Sequence, residues 1–164
     1  MFGRDPDRDT GGVFISYRRQ DEPGFTGRLY DRLAARFGRD AVFMDVDSID
    51  LGVDFTQVID ESLARCAAII VVIGKDWVGV TDAQGRRRLD NPDDYVRLEI
   101  ESALQRGIRV IPVLVEGASI PDRSELPPSL ASLTRRNGLT VSHARFGADM
   151  DRLLDTLSRI SQSR

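Results

Sequence analysis

The stretch DDYVRLEIE, residues 93–101, places two carboxylates, Glu99 and Glu101, one residue apart on what reads as the start of a helix. At about 100° per residue, Val96, Ile100, Ala103, Leu104 and Gly107 fall on one stripe, which must face a core. Glu99 lies at the edge of that stripe, one turn after Tyr95, where a helix side chain can border a cleft. Glu101 points further toward water, and Leu98 lies nearly opposite the stripe. The two glutamates are therefore not equivalent: Glu99 is either a functional group at a cleft or a helix-favouring boundary residue, and Glu101 is solvated or at an interface.

Other residues with chemical potential sit in loops. SYRRQDEPG, residues 16–24, offers two adjacent arginines, Arg18 and Arg19, suited to anionic phosphates. Neither GxGxxG nor GxxxxGK followed by Ser or Thr occurs, so the two common phosphate-cradling backbones are absent. DVDSIDLG, residues 45–52, carries three aspartates but is a poor calcium loop. Ile49, Asp50 and Thr56 stand where a fifth-position ligand, the turn glycine and the closing glutamate belong, so the segment reads as a solvated turn freed by Gly52. His143 and Cys66 have no partner in sequence and read as structural. A lone cysteine excludes an intramolecular disulfide, and a lone histidine excludes the usual Cys/His zinc cages; carboxylate-only metal sites stay open on this count, though no metal site is expected.

The elements that must position these residues alternate between strand and helix. VFISY, 13–17, is a β-prone run; after Pro23 and Gly24 come Phe25, Leu29, Leu33 and Phe37 at helical period, ending at Gly38. AVFMDV, 41–46, reads as a second strand, followed by Phe55, Val58, Ile59, Ser62, Leu63 and Cys66 at spacings of three and four. AAIIVVIG, 67–74, is apolar without alternation, as expected of a parallel strand covered on both faces. A long polar connection, 75–92, contains Arg86, Arg87 and Arg88. Asn91 and Pro92 read as N-cap and first-turn proline of a helix running from about Pro92 to Arg106. RVIPVLVEG supplies a fourth strand, where Pro112 cannot donate to the ladder and predicts a bulge or irregularity. A short helix is expected around Ser129–Leu133, a short fifth strand at GLTVS, and a closing amphipathic helix over Met150, Leu153, Leu154, Leu157 and Ile160.

This alternation predicts an α/β fold: a flavodoxin-like open parallel sheet of about five strands, order 2-1-3-4-5, with helices on both faces. Ligands in such sheets bind beyond the carboxyl ends of the strands, beside the first strand, which singles out loops 17–24, 46–54 and 74–93. The chain of 164 residues with 41% hydrophobic content fits one domain, expected over 12–162, after a flexible charged lead-in at 1–11. A net charge of -3 gives no broad electrostatic footprint for nucleic acid or an anionic membrane. No apolar run reaches the roughly 18 to 20 residues of a membrane span, and MFGRDPDRDT lacks a signal-peptide core, so the expected location is cytoplasmic.

In this order the pieces resemble the Toll/interleukin-1 receptor (TIR) domain family, especially its bacterial members, over about residues 12–160. VFISYRRQD resembles the family's first motif, VFMDVDSIDLGVDF the second strand with its BB loop, and DYVRLEI the segment that carries the catalytic glutamate in NAD-cleaving members. The resemblance implies Glu99 as the catalytic residue. It implies a substrate pocket involving Ser16, Tyr17 and Arg18, the BB-loop region from Asp45 to Gly52, and Tyr95, which stands where several active relatives carry tryptophan. Trp77, after the third strand, is either a stacking surface or a packing aromatic, and Arg18 or Arg19 either holds the pyrophosphate or is a surface charge. The implied reaction is cleavage of the nicotinamide-ribose bond, with NAD+ as substrate, no cofactor, and self-association or other TIR domains as partners in bacterial immunity or virulence signalling. A non-catalytic TIR–TIR interaction module is the alternative; a phosphoacceptor receiver shares the expected topology but needs a clustered acidic pocket, where this chain has Tyr17, Arg18 and Arg19 after the first strand and Gly74, Lys75 and Asp76 after the third.

Overall fold

The computed structural model describes residues 11–44 and 49–162. Its centre is a parallel sheet built from β1 (Gly12–Ser16), β2 (Val42–Met44), β3 (Cys66–Ile73), β4 (Arg109–Val115) and β5 (Leu139–Val141), in the order β2-β1-β3-β4-β5. Three α-helices connect strands, α1 (Pro23–Phe37), α2 (Phe55–Ala64) and α3 (Tyr95–Arg106), and α4 (Phe146–Gln162) follows β5. The expected five-stranded order is the observed one.

The apolar run of β3 is buried at every position because it is packed from both sides. Ala68, Ile70 and Val72 point into one core with Leu29 and Leu33 of α1 and Leu153 and Leu157 of α4. Ile69, Val71 and Ile73 point into the other, with Ile59 and Leu63 of α2 and Ile100 and Ala103 of α3. The strand's period of two thus divides one sequence run between two helix layers.

Gly12 explains the closeness of this packing at the sheet's amino end. A Cβ there would lie 2.7 Å from the Phe43 ring and 2.9 Å from the Arg65 carbonyl, and the β1–β3 register shifts between Gly12 and Val13. The irregularity expected at Pro112 is absent: β3 and β4 pair continuously through Val71 and Pro112. The β4–β5 ladder begins only at Val113, so on that side the missing N–H costs no rung.

Several boundaries also differ from the sequence expectation. Cys66 opens β3 rather than extending α2; burial pushes its thiol up to about 12. The cap of α3 is Asp94, whose carboxylate accepts from the Arg97 N–H, while Asn91 accepts from the Asp93 N–H in a turn upstream. The short helix expected at 129–133 is a 3-10 helix over Pro128–Arg135. β2 is described only over Val42–Met44, and the expected lead-in, apart from residue 11, lies outside the described residues. Among the described residues, no helix is long and apolar enough to cross a membrane.

Candidate active site

β1 ends at Ser16 at the carboxyl edge of the sheet, and α3 passes beside it. The pairing of these two elements brings Ser16 Oγ to 2.8 Å from Glu99 Oε1, with the hydroxyl donating to the carboxylate across 83 residues of sequence. Ser16 is fully buried and Glu99 is only 6% exposed. A carboxylate taken so far from water must keep polar partners. Its position on the buried side of α3 follows from the helix phase read in the sequence, but lies deeper than the boundary expected there.

A cleft of about 330 Å³ opens over this pair. Tyr17, Arg19 and Gln20 of the β1–α1 loop form one wall, and Arg88, Asn91 and Tyr95 contribute to the other. The walls are bolted together by Arg18 and Asp94: two nearly parallel bonds, Nη1 to Oδ1 at 2.9 Å and Nη2 to Oδ2 at 2.7 Å, in a pair that is almost fully buried. Asp94 Oδ2 also accepts from the Arg97 N–H at 3.1 Å, so one carboxylate caps α3 and anchors the β1–α1 loop.

A second tie joins the β1–α1 loop to the loop after β3. The N–H groups of Gly74 and Asp76 donate to Asp21 at 2.6 and 3.0 Å. A Cβ at Gly74 would collide with the Asp21 carboxylate, so glycine is needed for this approach. Burial raises the Asp21 pKa, and the two N–H bonds only partly offset it. Asp82, at the cleft edge, is held below the usual carboxylate range by the Arg86 N–H and, with it, the Gln84 N–H, and so serves the loop's shape.

The sequence-predicted residues divide into three groups. Ser16 and Glu99 meet under the cleft, and Tyr17, Arg18 and Tyr95 line it. Tyr95 is exposed at the rim, its ring 5.0 Å from that of Phe55 and tilted by 44°. Arg18, expected as a pyrophosphate ligand or a surface charge, has its Nη1 and Nη2 engaged with Asp94 as a clamp, while its Nε, like that of Arg88, is buried without a hydrogen-bond partner. Trp77 is 0% exposed and packs in the α2/α3-side core, so the structure places it as a packing aromatic rather than a stacking surface. Gly52, with φ of 83°, lies in an exposed turn beside fully exposed Leu51 and is not among the described residues that line the cleft; Asp45 lies outside the described residues.

Sequence reasoning passed over Arg88. It sits in a 3-10 turn, Arg88–Asp90, lines the cleft, and its Nε is buried without a hydrogen-bond partner. The available signal was its place in loop 74–93, beyond the carboxyl end of β3. Glu101, expected toward water, accepts from Arg97 Nε and from Ser129 Oγ, each at 2.7 Å. Among the described residues no cluster of three or more His, Cys, Asp or Glu could hold a metal ion.

Comparison with known proteins gives this geometry a family. A model of the TIR domain matches residues 13–154. The chain is 27% identical over 143 residues to "NAD(+) hydrolase sarm1" of Drosophila melanogaster, covering 86% of this chain and 10% of that protein. It is 28% identical over 142 residues to "NAD(+) hydrolase SARM1" of Danio rerio, covering 87% of this chain and 19% of that protein. The chain thus spans a tenth to a fifth of the length of these curated relatives. Among solved structures it resembles the TIR domains of the activated Roq1 resistosome recognizing the effector XopQ, with 17% identity, a TM-score of 0.49, and coverage of 92% of this chain and 83% of that one.

Proposed function

The chain belongs to the TIR domain family, and from that premise we propose that it is an NAD+ nucleosidase with Glu99 as its catalytic carboxylate. The observation that carries this reading is the buried Ser16–Glu99 pair at the base of the cleft. The two curated relatives, named as NAD+ hydrolases, support it.

One carboxylate is enough for this reaction. Heterolysis of the nicotinamide-ribose bond returns its electron pair to a pyridinium nitrogen, so nicotinamide leaves neutral and needs no proton. The positive charge moves onto the ribose as an oxocarbenium-like transition state. A fixed carboxylate that bonds the ribose hydroxyls stabilises that charge, whereas ordinary glycosidases need a second carboxylic acid to protonate a leaving oxygen. Water then adds to the ribosyl carbon and loses a proton, giving ADP-ribose; attack by the substrate's own adenine gives a cyclic isomer.

Each neighbour has a role in this reading. Ser16 holds the carboxylate in one orientation, Tyr95 offers an aromatic face at the rim, and Arg88, with its unpartnered buried Nε, pairs with the pyrophosphate. The Arg18–Asp94 clamp keeps the two walls at a fixed separation. NAD+ is the substrate, and no cofactor is required. Self-association activates the enzyme, in a cytoplasmic role in bacterial immunity or virulence signalling.

The alternative is a non-catalytic TIR–TIR module, favoured by the exposed apolar residues Leu51 and Val53 on the turn after β2. Nicotinamide release by wild type, Glu99→Ala and Glu101→Gln, followed over protein concentration, separates the readings. Release is expected from wild type and Glu101→Gln, lost in Glu99→Ala, with turnover per chain rising as concentration rises. NAD+ left intact by concentrated wild-type protein overturns the enzymatic reading.

A further inference from the structure

A second cleft lies at the opposite edge of the sheet, at the amino ends of the strands. Arg109 opens β4, Arg135 and Arg136 follow one another at the end of the 3-10 helix before β5, and Arg152 projects from α4; all four line one space of about 390 Å³. Leu139 and Leu153 add an apolar lining, and no aspartate or glutamate contributes to it.

This concentration of positive charge stands in a chain whose net charge is -3. Arg18, Arg32, Arg86, Arg87, Arg97 and Arg106 each pair with a carboxylate. Among the described residues, none of the four cleft arginines does. Four like charges lining one cleft, three of them exposed and Arg136 partly buried, raise the local potential, which an anion relieves. Guanidinium forks match phosphate oxygens two at a time, so a ligand with several phosphoryl groups offers each of the four a bidentate partner where a single orthophosphate does not. The volume falls in the range of roughly 300 to 1,000 Å³ typical of small-molecule sites.

We propose that this cleft binds a small soluble polyphosphate, inorganic or carried by a nucleoside, at a site separate from the candidate active site. The proposal does not depend on the chain cleaving NAD+.

The test is calorimetric titration of the full chain with inorganic tripolyphosphate at physiological salt, with orthophosphate, ATP and phosphoinositide-containing vesicles as further arms. Wild type should bind tripolyphosphate at least tenfold more tightly than orthophosphate. Arg152→Ala should weaken binding about tenfold, and Arg135→Ala/Arg136→Ala more, with thermal unfolding showing that both variants fold. Arg39→Ala, an exposed arginine elsewhere, should bind as wild type does, and Arg88→Ala, in the active-site cleft, should leave the affinity of this second cleft unchanged. ATP binding tighter than tripolyphosphate would identify the nucleoside-borne form; equal or weaker ATP binding would identify the inorganic one. The proposal is overturned by no tripolyphosphate binding, by orthophosphate binding equally well, by cleft variants that bind unchanged, by loss in Arg88→Ala alone, or by capture on vesicles without soluble binding.

Discussion

Ser16→Ala is the perturbation that asks most of the proposed mechanism. The substitution removes one oxygen from a fully buried position and with it the 2.8 Å bond to Glu99 Oε1. A hydrogen bond to an ionised group contributes about 1.5–3 kcal/mol. At about 1.4 kcal/mol per factor of ten, its loss should lower kcat/KM for nicotinamide release by roughly 10- to 150-fold. The void left is a single atom, too small to add a large packing cost. Because Ser16 touches the carboxylate, the loss should fall on kcat with KM nearly unchanged, the pattern of an interaction felt mainly in the transition state. Ser16→Thr restores the hydroxyl but adds a methyl to a closed site. It should recover much of kcat while losing about 1–3 kcal/mol of stability in urea unfolding. Glu99→Gln still offers Ser16 an acceptor but removes the charge, so it should lose more activity than Ser16→Ala. Steady-state kinetics with folding checked by circular dichroism decides the matter. A Ser16→Ala enzyme within threefold of wild type, or one altered only in KM, would refute a positioning role for Ser16.

Two further predictions concern the scaffold. Asp94→Asn keeps an acceptor for the α3 cap but leaves the buried Arg18 guanidinium without its counter-charge. It should cost about 3–5 kcal/mol in urea denaturation, against about 0–1 kcal/mol for Asp151→Asn in the exposed Arg32–Asp151 pair; equal costs would sink the clamp. Asp60 is held below 3.8 chiefly by its hydrogen bond to Arg106 and then by Ser102. Since its folded value is depressed, the stabilisation is present above the unfolded value and fades as pH falls through the folded one. The stability difference between wild type and Asp60→Asn should therefore be seen at neutral pH and vanish on acidification below 3.8; a difference that persists or grows in acid would contradict the assignment.

The fold was legible because its signals are local and repeated. The β3 run and the stripes of α1 and α4 each carry their period within a dozen or so residues, and right-handed crossovers then leave few orders for five parallel strands. Pro112 misled because the rule against proline in a strand depends on which rungs are occupied, and the sequence does not display that β5 starts pairing one residue later. Asp94 rather than Asn91 caps α3 for a similar reason. Both can accept from a backbone N–H, but only Asp94 also meets Arg18, which is 76 residues away in sequence.

The same distinction runs through the site. Helix phase put Glu99 at the edge of the inward stripe of α3, and it is the residue beneath the cleft. Phase could not give its depth, because depth is set by what lies over the helix: β1 with Ser16, and the loop that Arg18 holds down. Glu101 shows the converse. Its phase pointed outward, yet Ser129 arrives from the segment before β5 and, with Arg97, engages the same oxygen. A helix pattern therefore sorts the two carboxylates by face, and long-range contacts decide their partners. Glu99 meets a buried hydroxyl under an open cleft, whereas Glu101 is partly exposed, held by an arginine and a serine, and lies outside that cleft. That difference makes a Glu101 variant a demanding control: it perturbs a carboxylate of the same helix with its own partners, so retained activity in Glu101→Gln would attribute the loss in Glu99→Ala to chemistry at the cleft rather than to damage in α3.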